Sequence, residues 1–208
     1  MGEEKGTKEK ILQVAAELFA KFGFAGTSVR DIAQKSGVNL SAVNYHFGSK
    51  HNLYWSTVCD AHNKGECEVN RLVSESKDLT DFAIRFFDFI LSNKPMFRSI
   101  MKLMLTDGVP DPDEEVEETI EGTLVPIGSD ELRKFIREQM GDISEESVSF
   151  MVTSIFGLII HFGMMHSSSK IEMIKDKNPF IREENVRKAI AHNIKAVQNY
   201  VALVKGKF

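Results

Sequence analysis

Apolar residues recur along this chain at the three- and four-residue intervals of helices, and the intervals mark out one helix after another. Ile11, Leu12, Ala15, Leu18, Phe19 and Phe22 make the first apolar stripe, with Thr7 as a candidate cap, Gly23 as a stop and a polar, frayed 1–6 before it. Val29, Ile32 and Ala33 make a second, short one that runs to Ser36 and is opened by Thr27 or Ser28; Ser28 with Asp31 forms a loose capping box. Gly37 supplies a turn, and a third helix begins at Asn39 or Leu40 and ends near Phe47 and Gly48. On its wheel Val43 and Phe47 share one side, Ser41 and Tyr45 the other, and Asn44 lies between. Ser49 can cap a long helix from Lys50 to about Glu75, and Leu79 to Asn93 follows with Phe82, Phe86, Phe87, Phe89 and Ile90. Pro95 opens another, whose apolar set is Met96, Phe97, Ile100, Met101, Leu103, Met104 and Leu105. Ser129 to Met140, an apolar helix entered at Ser144 and Glu145, a turn at Asn178 and Pro179, and Arg182 to Val204 complete the chain. The expectation is an all-α protein of about nine helices.

Two short helices joined by a glycine turn, the second with a solvated face of small polar and aromatic groups, make a helix-turn-helix. The first helix packs across that pair and completes a three-helix head. The head is placed at residues 1–52 as a DNA-binding domain, with a larger helical domain at 53–208. Ser41 and Asn44 are the first candidates for base-edge contacts, since Asn can hold adenine through two hydrogen bonds and Ser is tolerant. Arg30 can reach a guanine or a phosphate, and Thr27 or Ser28 can donate from a helix end. Asn39 and Leu40 join the candidate surface, Leu40 as a partner for a thymine methyl. Phe47 is assigned to the core.

Charge fits that division. The whole chain carries −4, but residues through Asn52 carry +2 and the remainder −6, a mildly basic head on an acidic body. Acidic surface away from a reading head discourages indiscriminate adsorption to DNA. Apolar residues at 42% and charged ones at 27% are ordinary globular values. The two cysteines, Cys59 and Cys67, fall on one helix about 12 Å apart along its axis, too far for a disulfide within it. They read as small buried or half-buried residues in a reducing, cytoplasmic setting rather than a redox pair.

Val148 to Met165 contains no Asp, Glu, Lys or Arg, near the minimum for a membrane span. Its Ser149, Thr153, Ser154, His161 and two glycines point instead to a helix buried on all sides by protein, and no membrane partner is expected. The acidic stretch from Thr106 to Gly122 lacks the spacing of a calcium loop and reads as a solvated loop leading into a helix. His161 and His166 stand five apart, not the four usual for a helical metal pair, and read as satisfied interior or boundary groups. No metal, cofactor or catalytic motif is present: there is no GxSxG, no glycine loop for phosphates and no HExxH.

The residues TSVRDIA, SGVN and NYHFGSK followed by HNLY, with the FGF step at Phe22 to Phe24 before them, resemble the N-terminal domain of the TetR (tetracycline-repressor) family. By that resemblance Tyr45, His46 and Lys50 are positions that grip the DNA backbone. It also implies a homodimer on a pseudo-palindromic operator, in which the last two long helices pair with their mates as a four-helix bundle. Ile155, Ile159, Phe162, Ile190, Ile194, Val197 and Val201 are the interface candidates, with Gly157 and Gly163 permitting close approach. A small, largely apolar effector is expected among Phe86, Phe89, Met96, Phe97, Ile100, Met101, Met104, Phe150, Phe156 and His161, acting through the linking helix from Lys50 to release the operator. The alternative is a helical ligand-binding or protein-interaction module without sequence-specific DNA binding.

Overall fold

The structure, a computed structural model, describes residues 2–105, 129–174 and 177–204, and among them it is all-α. The acidic stretch at 106–122 lies outside the described residues. The helices are α1 (Gly2–Phe22), α2 (Val29–Ser36), α3 (Leu40–Phe47), α4 (Lys50–Glu75), α5 (Leu79–Ser92), α6 (Lys94–Met104), α7 (Ser129–Met140), α8 (Glu145–His166), α9 (Ser169–Ile174) and α10 (Glu183–Val204), with a 3-10 turn at Pro179–Ile181. The short α9 is absent from the sequence reading, being too short to show an apolar period, whereas the 3-10 turn stands where a turn at Asn178 and Pro179 was expected.

Two compact units divide the described chain. One holds Met1–Lys64 and α6 from Arg98 onward, the other Gly65–Phe97 and the helices from α7 to α10. In the first, Ile11, Ala15, Phe19, Ile32, Val43, Leu53 and Tyr54 form a closed core. Burial of each large side chain is worth roughly 1.5–3 kcal/mol. Leu103 of α6 joins this core, and the Tyr54 hydroxyl donates to its carbonyl at 2.5 Å, a contribution from 49 residues away.

Two expectations for α1 are corrected. The helix starts at Gly2, five residues before the cap offered by Thr7. Phe22 is half exposed with Lys21 Nζ 4.9 Å from its ring centroid, and Phe24 takes the core place. Gly23, at φ +73°, folds the chain back so that Phe24 packs on Phe19 at 6.1 Å and on Tyr54 at 5.4 Å.

In the second unit α8 packs against α5, α7, α9 and α10, and α5 against α10. Among the described residues these contacts cover one side of α8. The helix is long and apolar enough to cross a membrane, with mean hydropathy 1.9 in its most apolar window, but just 39% of that window is buried, so the expected all-round burial is not met. Phe150, Thr153, Gly157, His161 and Met164 remain exposed along a single face. His166 is the opposite case: it is buried, its Nδ1 lies 2.9 Å from the Phe162 carbonyl and its Nε2 lies 2.8 Å from the Ile181 carbonyl.

Candidate nucleic-acid interface

The pair α2–α3 is shaped by its caps. Ser28 Oγ accepts from the Asp31 backbone N–H at 3.1 Å and donates to the Asp31 carboxylate at 2.5 Å, satisfying the start of α2. Gly37 closes α2 in the left-handed region at φ +67°, its N–H directed at the Ala33 and Gln34 carbonyls. Two residues on, Asn39 Oδ1 accepts from the Ala42 N–H at 2.7 Å and opens α3. Gly48, again at φ +67°, ends α3, and Ser49 Oγ accepts from the Asn52 N–H at 3.1 Å to begin α4. Five caps between Ser28 and Ser49 fix where these helices start and stop.

That arrangement sorts α3 cleanly. Val43 and Phe47 are buried, while Ser41, Asn44 and Tyr45 are exposed, Tyr45 to 77%. Its ring meets that of His46 near edge-on at 5.3 Å. Asn39, Leu40 and Arg30 also reach the surface, and His46 is half-buried. Lys50 stands in the first turn of α4 with Nζ 4.4 Å from the Phe24 ring centroid, and His51 stacks on the same ring at 5.2 Å. Phe24 therefore holds a cation beside the reading helix, a support that the sequence reading missed.

Thr27 is corrected. It is buried and its hydroxyl donates to the Gly23 carbonyl at 2.8 Å, so that hydroxyl serves the turn before α2, and Ser28 is the cap. Ser36, polar yet fully buried, hydrogen-bonds its own helix through the Ile32 carbonyl at 2.6 Å.

The residues expected at a dimer interface fare differently. Ile155, Ile159, Ile190, Ile194 and Val201 are buried within the protomer and have no surface to give a partner; Phe162 and Val197 are half-buried. The strongest apolar stripe of a helix goes to its own core first, and the sequence reading assigned that stripe twice. Gly163 is likewise internal: a Cβ there would stand 3.1 Å from Ile90 and 3.2 Å from Phe97, so its closeness serves α5 and α6. Gly157 faces open space.

Among the effector candidates, Phe86 and Phe97 are buried, and Phe86 meets the half-buried Phe156 edge-on at 5.6 Å. Phe89, Ile100 and Met101 are half-buried, whereas Met96 and Met104 are largely open. Phe150 is moved out of the set, because it lies on the open face of α8 against Tyr200 at 5.6 Å. His161 is exposed on that same face and is not the interior group expected. Cys59 is buried and Cys67 exposed, and among the described residues neither is in a disulfide.

A head of three helices with a capped, glycine-joined reading pair defines the helix-turn-helix class of DNA-binding proteins. The family model "Bacterial regulatory proteins, tetR family" matches residues 11–55, so the head of this chain, from α1 through α3 into α4, has the N-terminal domain of that family. The chain is 56% identical over 43 residues to the HTH-type transcriptional repressor Rv3405c of Mycobacterium tuberculosis, a stretch covering 21% of this chain and 23% of that one. With the HTH-type transcriptional repressor KstR2 of Rhodococcus jostii it shares 38% identity over 50 residues, 24% of each chain. The matched stretch is thus under a quarter of these relatives' length. Likeness in fold extends much further. A TetR family transcription regulator from Marinobacter aquaeolei superposes with a TM-score of 0.62 at 19% identity, covering 97% of this chain and 98% of that one. NalD, the secondary repressor of the MexAB-OprM multidrug efflux pump in Pseudomonas aeruginosa, does so with a TM-score of 0.57 at 17% identity, covering 93% and 98%.

Proposed function

We propose that this protein is a transcriptional regulator, acting as a repressor, that binds a pseudo-palindromic operator in duplex DNA as a homodimer. The observation that carries the proposal is the face of α3: Ser41, Asn44 and Tyr45 are exposed on a helix anchored by the burial of Val43 and Phe47. In this reading residues 1–52 bind DNA. Asn44 and Ser41 read base edges, Tyr45, His46 and Lys50 hold phosphates, and Arg30, Ser28, Asn39 and Leu40 line the rim.

Residues 53–208 serve dimerisation and effector binding. The face we assign to the dimer is the open one, with Phe150, Thr153, Gly157 and Met164 on α8 and Ala196, Tyr200 and Leu203 on α10. A dimer multiplies the discrimination of one short reading helix by presenting two to half-sites about one helical turn apart. A small apolar effector is assigned to the aromatic interior around Phe86, Phe89 and Phe156, and the linking helix α4 carries its influence to the operator. A regulator of this kind works in the cytoplasm, where DNA is.

The test is fluorescence anisotropy of the purified protein on a duplex selected from a random library, with random DNA as competitor and at several salt concentrations. Tight, competitor-resistant binding with two protomers per duplex is the expected result. Binding no better than to random DNA would sink the proposal and favour a ligand- or protein-binding module.

A further inference from the structure

The first turns of α1 carry three consecutive charged residues, Lys8, Glu9 and Lys10, all exposed, with net charge +1. The two lysines do not point at random. Lys8 Nζ stands 5.9 Å from the centroid of Phe47, the last residue of α3. Lys10 Nζ lies 3.6 Å from where a Cβ on Gly37 would be, in the turn that leads into α3. Two residues apart on α1, their side chains diverge by about 200° round the helix, which is how one turn can serve both ends of another helix. Among the described residues neither lysine is in an ion pair, whereas Lys35 of α2 is tied to Glu17 at 2.7 Å. Their positive charge is therefore uncommitted, and it lies at the two ends of the candidate reading helix.

We infer that Lys8 and Lys10 extend the DNA footprint beyond the helix-turn-helix, meeting backbone phosphates on the two walls of the groove that α3 enters. The inference rests on the DNA-binding reading above. A helix of eight residues is about 12 Å long, and a major groove is about 12 Å wide. Cations at the two ends of such a helix come close to both phosphate strands. Lysine suits the task, since its ammonium is a point charge on a flexible stem that can leave the face of Phe47 for a phosphate. Such contacts position the protein without reading sequence.

The experiment compares wild type with Lys8→Gln/Lys10→Gln on a duplex that the wild type has selected from a random library and on a scrambled duplex, across a salt series. Expected is a common loss of about tenfold on both duplexes, with the slope of log affinity against log salt shallower by about 1.8 per head. Lys8→Arg/Lys10→Arg should keep the wild-type slope, which separates charge from folding. Lys188→Gln/Lys195→Gln, which removes the same net charge from α10, should leave both affinities in place. An unchanged slope in Lys8→Gln/Lys10→Gln, while Asn44→Ala still loses the selected duplex, would overturn this inference and leave the DNA-binding reading standing. A loss confined to the selected duplex would overturn it too, because phosphate contacts cannot discriminate. Wild-type protein that binds neither duplex would remove both readings together.

Discussion

At the scale of single residues, this head depends on atoms that do one thing each. Asn44 has an amide free of intrahelical duty and open to solvent. Asn44→Ala should weaken the selected operator by about 1–3 kcal/mol and random DNA far less, read by competition anisotropy. Gly37 has only its backbone to offer, at φ +67°, where an L side chain is strained even though its nearest neighbour is the mobile Lys10 ammonium. Gly37→Ala should lower the free energy of unfolding by about 1–2 kcal/mol, measured by urea titration at constant slope. Residues of this kind were the most legible in the sequence. Ser28, Gly37, Asn39 and Gly48 are local devices whose chemistry is complete within four residues, so a cap can be recognised without knowing what surrounds it. Thr27 and Ser36 were not legible. A hydroxyl that turns back on its own chain looks the same in sequence as one that faces a ligand.

For whole helices, periodicity locates the apolar side and says nothing about what covers it. The apolar recurrence in α8 and α10 was assigned to a partner, but burial inside the protomer and burial against a partner give one pattern. The two glycines of α8 separate the cases. At Gly163 an added methyl meets Ile90 and Phe97 at 3.1 and 3.2 Å, and Gly163→Ala should cost about 1–3 kcal/mol of protomer stability through overpacking. At Gly157 nothing lies within 4 Å, and Gly157→Ala should leave the folded protomer unharmed or stabilise it by up to about 1 kcal/mol through helix propensity. Thermal melting monitored by circular dichroism, with both variants side by side, checks the contrast. Phe22 and Phe24 make the same point in miniature. Two phenylalanines one residue apart cannot both face one core, and the conformation of Gly23 between them decides which does.

On the scale of the molecule, the proposed regulator needs a second copy, and the open face of α8 with α10 is the surface available for it. Phe150→Glu with Leu203→Glu should reduce the mass in sedimentation to that of one chain and should weaken the operator far more than random DNA, because two linked half-sites become two separate ones. A dimer of unchanged mass would place the interface elsewhere. This surface was the least legible feature of the chain. It is composed of whatever α8 and α10 left over after their own core was filled, including Gly157, Thr153 and Ala196, which announce nothing by type. An interface built from two helices also carries a demand that one helix would not. The pair must arrive at the partner with a constant stagger, or the knobs of one copy miss the hollows of the other. Here the stagger falls to His166, whose ring spans from a carbonyl of α8 to the carbonyl of Ile181 just before α10 begins. Phe87 closes its flank edge-on at 5.4 Å. That imidazole stands within hydrogen-bond reach of both carbonyls, where one helix ends and the next begins, and in the proposed dimer it would let two separate elements meet a partner as a single plate.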